Sequence, residues 1–162
     1  MGSRRKARET LLKAFYLSES RGITIDEAFA EMKAINGEIA DISDNSDDLT
    51  LKPFALGLDN KQHEFALRLA HTIERSKVLF NNHIKDVLQN WDFSRVSRID
   101  RIIMWIALAE ISSMIDIPPN VSINEAIELA KKYSSLKSPS FVNGILDSVA
   151  RNMGFIKKNH SI

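Results

Sequence analysis

Four cations crowd one short stretch near the start of the chain. Arg4, Arg5, Lys6 and Arg8 lie in RRKARETLLKAFY, at the head of a segment where Ala7, Leu11, Ala14 and Phe15 recur at helical spacing. A helix N-terminus carries about half a positive charge, so each exposed cation there costs about 0.3–1 kcal/mol. An anionic ligand would reverse that cost. The open backbone N–H groups of a first turn and several side-chain cations together make a ready phosphate site. A basic tail surrounded by water is the other reading, and the residues alone weigh the two equally.

Other chemistry is sparse. His63-Glu64 opens like a zinc-protease helix, but the second histidine would fall at position 67, which is Leu. His71 and His83 have no partner at ligand spacing, so no metal is expected, and no cofactor. Neither glycine-rich phosphate loop is present. The carboxylates fall mostly on helix faces or in one acidic stretch, where water accounts for them. With no nucleophile–base arrangement, the expectation is a binding protein and not an enzyme.

Two polar positions stand apart. Tyr16 closes the row Arg5, Glu9, Leu12, Tyr16, which runs beside the apolar stripe. An exposed tyrosine next to an apolar residue is a common interface anchor. Asp100 stands at the polar start of a long apolar segment, where a carboxylate suits a helix N-terminus. Phe141 follows Ser138-Pro139 in a first helical turn, either in the core or part-exposed at the helix entrance.

Bulk composition constrains the elements that must position these residues. The chain has 162 residues, 44% hydrophobic and 27% charged, which suits one globular domain. Its net charge of +1 conceals an asymmetry. Residues 36–60 hold Glu38, Asp41, Asp44, Asp47, Asp48 and Asp59 against Lys52. There is no cysteine, which excludes disulfides and thiol catalysis and makes the cytoplasm the expected compartment. MGSRRK lacks a signal-peptide core, and Lys6 breaks the myristoylation pattern. The longest apolar run, Ile102 to Ala109, is too short to span a bilayer, so no membrane partner is expected.

Periodicity predicts an all-α chain of about seven helices, with no strand, hairpin or internal repeat. Ser3 is the expected N-cap of the first. Ile25, Ala28, Phe29 and Met32 mark a second, with Asn36-Gly37 as its stop. Asp59 and Gln62 form a capping pair for a third, whose core face is Phe65, Ala66, Leu69, Ala70 and Ile73. Phe80, Ile84, Val87, Leu88 and Trp91 mark a fourth. The fifth runs from about Val96 to Met114, and IIMWIALA makes it apolar on every side, hence central. After a Pro118-Pro119-Asn120 turn, Ser122 and Glu125 form a capping box for the sixth. Ser138 and Pro139 read as N-cap and first residue of the seventh.

Three stretches together resemble the NusB family of bacterial transcription antitermination factors. They are RRKARETLLKAFY, RIDRIIMWIALAEI and VSINEAIELAKKYSSLKSPSFVNGILDSVA. The match is weak over about residues 20–75. The resemblance implies a single domain, 1–162, of two small packed helical bundles, here about 1–76 and 77–155. It implies a protein that pairs with ribosomal protein NusE, binds boxA RNA and acts on RNA polymerase so that ribosomal RNA operons are read through. Self-association over the RNA face occurs in some members and stays open here. An RNA-binding module like that of a ribosomal RNA cytosine methyltransferase, working without NusE, is the alternative. The chain ends soon after the last helix, which favours the free factor.

By resemblance, Arg4, Arg5, Lys6 and Arg8 match an arginine-rich start that touches RNA. Phe141 matches a phenylalanine of the FVNG motif that meets RNA, where an aromatic can stack on an unpaired base. Lys137 stands where some relatives have an acid, and adds a phosphate contact or is solvated. Tyr16 and Asp100 match NusE-facing positions.

Overall fold

The computed structural model describes residues 2–42 and 57–157. The chain divides into two compact units, Met1–Leu67 and Arg68–Ile162. Six α-helices and one 3-10 turn are found among the described residues, and no strand. The helices are α1 Gly2–Arg21, α2 Ile25–Ile42, α3 Asn60–Leu88, α4 Arg98–Ser113, α5 Pro119–Tyr133 and α6 Ser138–Asn152. No helix among the described residues is long and apolar enough to cross a membrane.

In the first unit α1 packs on α2. The predicted stripes are the buried ones: Ala7, Leu11, Ala14 and Phe15 on α1, with Ile25, Ala28, Phe29 and Met32 on α2. The link between them is built by local chemistry. Gly22 takes a φ of +65°, which a side chain would strain, and Ile23 N donates to Ser18 O at 3.1 Å to close the end of α1. Thr24 and Glu27 then cap α2 reciprocally, Thr24 N to Glu27 Oε2 at 2.8 Å and Glu27 N to Thr24 Oγ1 at 3.1 Å. Leu12 is buried, so the row ending at Tyr16 is not a clean outer face.

Several predicted boundaries move. α1 already includes Gly2, so Ser3 lies inside the first turn. α2 continues through Asn36-Gly37 to Ile42, because a glycine costs a helix only about 1 kcal/mol and helix-compatible residues follow. The rest of the acidic stretch, residues 43–56, lies outside the described residues. Asp59 and Gln62 do form the capping pair, at 2.9 and 2.8 Å.

The third and fourth predicted helices are one, the 29-residue α3. Ser76 and Lys77 interrupt its apolar stripe, but no Gly or Pro interrupts its backbone. Ile73 and Phe80, both buried, are seven residues apart and so share a face. Trp91 falls beyond the end of α3 and is 61% exposed, not part of the core face expected for it.

In the second unit α4 is the centre, as its apolar circumference demands. Every residue from Ile102 to Ile111 is buried, and α4, α5 and α6 pack on one another. Trp105 buries its ring and donates Nε1–H to Asn81 Oδ1 at 2.7 Å. α5 starts a turn earlier than expected, with Pro119 at its first position, where the missing N–H costs nothing. Ser122 is therefore buried inside the helix and not its cap. α6 has Lys137 at its N-cap position, and the Ser138 hydroxyl is used elsewhere.

Candidate nucleic-acid interface

The basic start of α1 is not a uniform cluster. Arg4 and Arg8 both lie over the ring of Phe65, with guanidinium carbons 5.3 and 5.5 Å from its centroid. Arg8 is only 4% exposed, unlike its three basic neighbours. A guanidinium carried inward on an aromatic face serves packing. Lys6 donates Nζ–H to Gly57 O at 2.6 Å, joining α1 to the segment before α3. Arg4, Arg5 and Lys6 are exposed. No acidic residue stands in the first turn of α1, so its N-terminal charge is uncompensated there. Tyr16 is 45% exposed on the same helix.

The second unit carries a different surface. A cleft of about 480 Å³ is lined by Trp91, Arg95, Asp100, Tyr133, Lys137 and Phe141, among others. Phe141 is half-buried on the wall of this cleft. Its ring touches that of Trp91, centroids 6.0 Å apart and planes tilted by 40°. Lys137 is exposed at the mouth of α6.

Asp100 forms the polar floor of this cleft. It is 6% exposed, and both carboxylate oxygens accept hydroxyl donors. Ser134 Oγ donates to Oδ1 at 2.7 Å and Ser138 Oγ to Oδ2 at 2.9 Å. Its own backbone N–H donates to Ser97 Oγ at 3.1 Å, the cap of α4. One buried carboxylate thus ties the start of α4 to the end of α5 and the start of α6. Burial of this polar group is tolerable because each of its two oxygens accepts a hydroxyl hydrogen bond.

Trp91 owes its position to the end of α3. Gln89 takes a φ of +39°, turning the chain out of the helix, and Trp91 N donates to Leu88 O at 2.8 Å. Asp92 then caps the 3-10 turn Phe93–Arg95, accepting from Ser94 N at 2.9 Å. That backbone bond, with the Ser94 hydroxyl, holds the Asp92 carboxyl below its ordinary value.

The described residues hold no cluster of three or more His, Asp or Glu that could bind a metal ion. One surface offers cations, the other aromatic faces with cations.

The NusB family profile matches residues 5–151, nearly the whole chain. The chain belongs to the NusB family. The transcription antitermination protein NusB of Geotalea uraniireducens is 35% identical over 150 residues, covering 93% of this chain and 95% of that protein. The solved structure of T. maritima NusB is 29% identical, with a TM-score of 0.71 over 91% of this chain and 90% of that one. A structure of antitermination factors NusB and NusE in complex with dsRNA shares the fold, at 21% identity and a TM-score of 0.69.

Of the candidate residues that the sequence marks, Asp100, Lys137 and Phe141 come together around one cleft. Arg95 and Trp91 line it too. Apolar spacing alone places Trp91 in a helix stripe, and the signal against that is Gln89-Asn90, a polar pair at a helix end.

Proposed function

We propose that this chain is a transcription antitermination factor that binds boxA RNA together with ribosomal protein NusE and works in the RNA polymerase complex that reads through ribosomal RNA operons, in the cytoplasm. Membership of the NusB family carries this reading. It acts by binding, with no bond made or broken. The two surfaces supply what single-stranded RNA needs, cations for phosphates and aromatic faces for bases.

In this reading Arg4, Arg5 and Lys6 meet phosphates, and Arg8 positions the start of α1 through Phe65. Phe141 stacks on an unpaired base, and Lys137 takes a neighbouring phosphate. Tyr16 gives NusE an apolar anchor. Asp100 serves the partner surface indirectly, as the residue that positions α4, α5 and α6, because its carboxylate is already occupied.

Titration of boxA-like RNA with the protein, with and without purified NusE, tests the reading. The expected result is weak binding alone and tighter binding with NusE. No heat on mixing with NusE and no complex on a sizing column would reject it and leave a stand-alone RNA-binding module.

A further inference from the structure

We infer that Trp91 is a second base-stacking residue, so that the cleft of the second unit takes two successive unpaired nucleotides of RNA and not one. The inference rests on the RNA-binding reading above and adds to it a residue, an occupancy and a geometry.

Trp91 is a large apolar ring left 61% in solvent, although Trp105 in the same unit is 3% exposed. A ring this open can take a stacking partner on its face. The ring is not loosely placed. The turn at Gln89 and the capped turn at Asp92 fix the backbone on both sides of it. At 6.0 Å and 40° the Trp91 and Phe141 rings are in direct contact, so no base fits between them. Both rings line the cleft, Trp91 exposed and Phe141 half-buried, and side by side they form a platform of two ring surfaces.

The charges around the platform select the occupant. Arg95 and Lys137 line the same cleft and are exposed. Neither has an ion-pair partner among the described residues. The one carboxylate lining the cleft, Asp100, is held inward by two serine hydroxyls. Stacking faces beside uncompensated cations suit a strand that is aromatic and anionic at each step, which is single-stranded nucleic acid. An apolar peptide would leave both cations unanswered.

Acrylamide quenching of tryptophan fluorescence tests this on the intact protein, since Trp105 is shielded and the neutral quencher reads Trp91. A labelled single-stranded boxA-like RNA reports binding in the same samples by anisotropy, with NusE present. Bound RNA is expected to protect Trp91 from the quencher. Trp91→Ala should weaken RNA binding about five- to hundredfold, with Trp91→Phe retaining most of it. Its unfolding midpoint should stay near that of the parent. RNA that binds without protecting Trp91, and binds Trp91→Ala as well as the parent, would overturn the inference while the RNA reading stands. Protection by NusE alone would make Trp91 a protein contact and also overturn it. Failure of the parent to bind RNA under any of these conditions would bring down both.

Discussion

The first unit presents its cations on a single helix start, and two of them are already seated on Phe65. The second presents an aromatic pair over a floor of buried hydrogen bonds, with cations only at the rim. The difference is one of kind. Phosphate contacts draw their strength from counterion release, so they are sensitive to salt and indifferent to the base. Stacking is nearly indifferent to salt and requires the base to be unpaired. A protein with both can be drawn to any RNA by one surface and held on a single-stranded segment by the other.

The sharpest way to break this contrast is to remove the floor. Asp100→Ala strips two hydroxyls of their acceptor and should cost the second unit about 3 kcal/mol of stability, read from urea unfolding. The cleft residues should lose their arrangement with it, whereas the cations of α1 should keep their non-specific hold on RNA. A loss well below about 1 kcal/mol would mean that the serine cluster does not position the cleft.

A second test divides the α1 cations among themselves. Arg8→Ala should destabilise the first unit by about 2 kcal/mol, since a desolvated guanidinium on an aromatic face is worth about that much. Arg5 is exposed, so Arg5→Ala should cost no more than about 1 kcal/mol, the ceiling for a surface ion pair. Equal behaviour of the two in a melting curve would contradict the separation of packing arginine from RNA-facing arginine.

Tyr16→Ala should weaken NusE binding by more than about 1 kcal/mol, as truncation of an interface hot-spot tyrosine does, with RNA binding to the isolated protein kept. Calorimetry with NusE reads this. The smallest effect expected is on pH. The Asp92 carboxyl is held below its ordinary value by Ser94, so its contribution is present above the unfolded value and is lost as pH falls through the lowered folded value. Asp92→Asn should remove that part of the acid sensitivity, seen as a flatter unfolding curve against pH at the acid end.

The apolar pattern made most of the fold legible. The stripes of α1 and α2 and the all-round burial of α4 follow from spacing alone, because burial is what apolar periodicity encodes. Boundaries were less legible where two local signals competed. Asn36-Gly37 reads as a stop, yet the helix passes it. Ser138 reads as a cap, yet its hydroxyl goes to Asp100, 38 residues away. No local rule finds such a bond, since Ser138 and Asp100 are joined only by the packing of α4 and α6. Family resemblance singles out Phe141 and the arginines, and the structure leaves Phe141 half-buried on the cleft wall and Arg4 and Arg5 exposed. Burial of Arg8 and exposure of Trp91 were not legible, because both depend on what a side chain meets after the helices pack.

The most direct measurement is the affinity for single-stranded boxA-like RNA, with NusE present, across a series of salt concentrations for three proteins. For the Arg4→Ala, Arg5→Ala double variant the plot of log affinity against log salt should be flatter than the parent's by about 1.4, at about 0.7 for each lost phosphate contact. Phe141→Ala should give a line parallel to the parent's and about 1–3 kcal/mol weaker at every salt concentration. If Phe141→Ala lies on the parent line, or if the double variant keeps the parent's slope, the division of labour between cations and aromatic cleft is wrong.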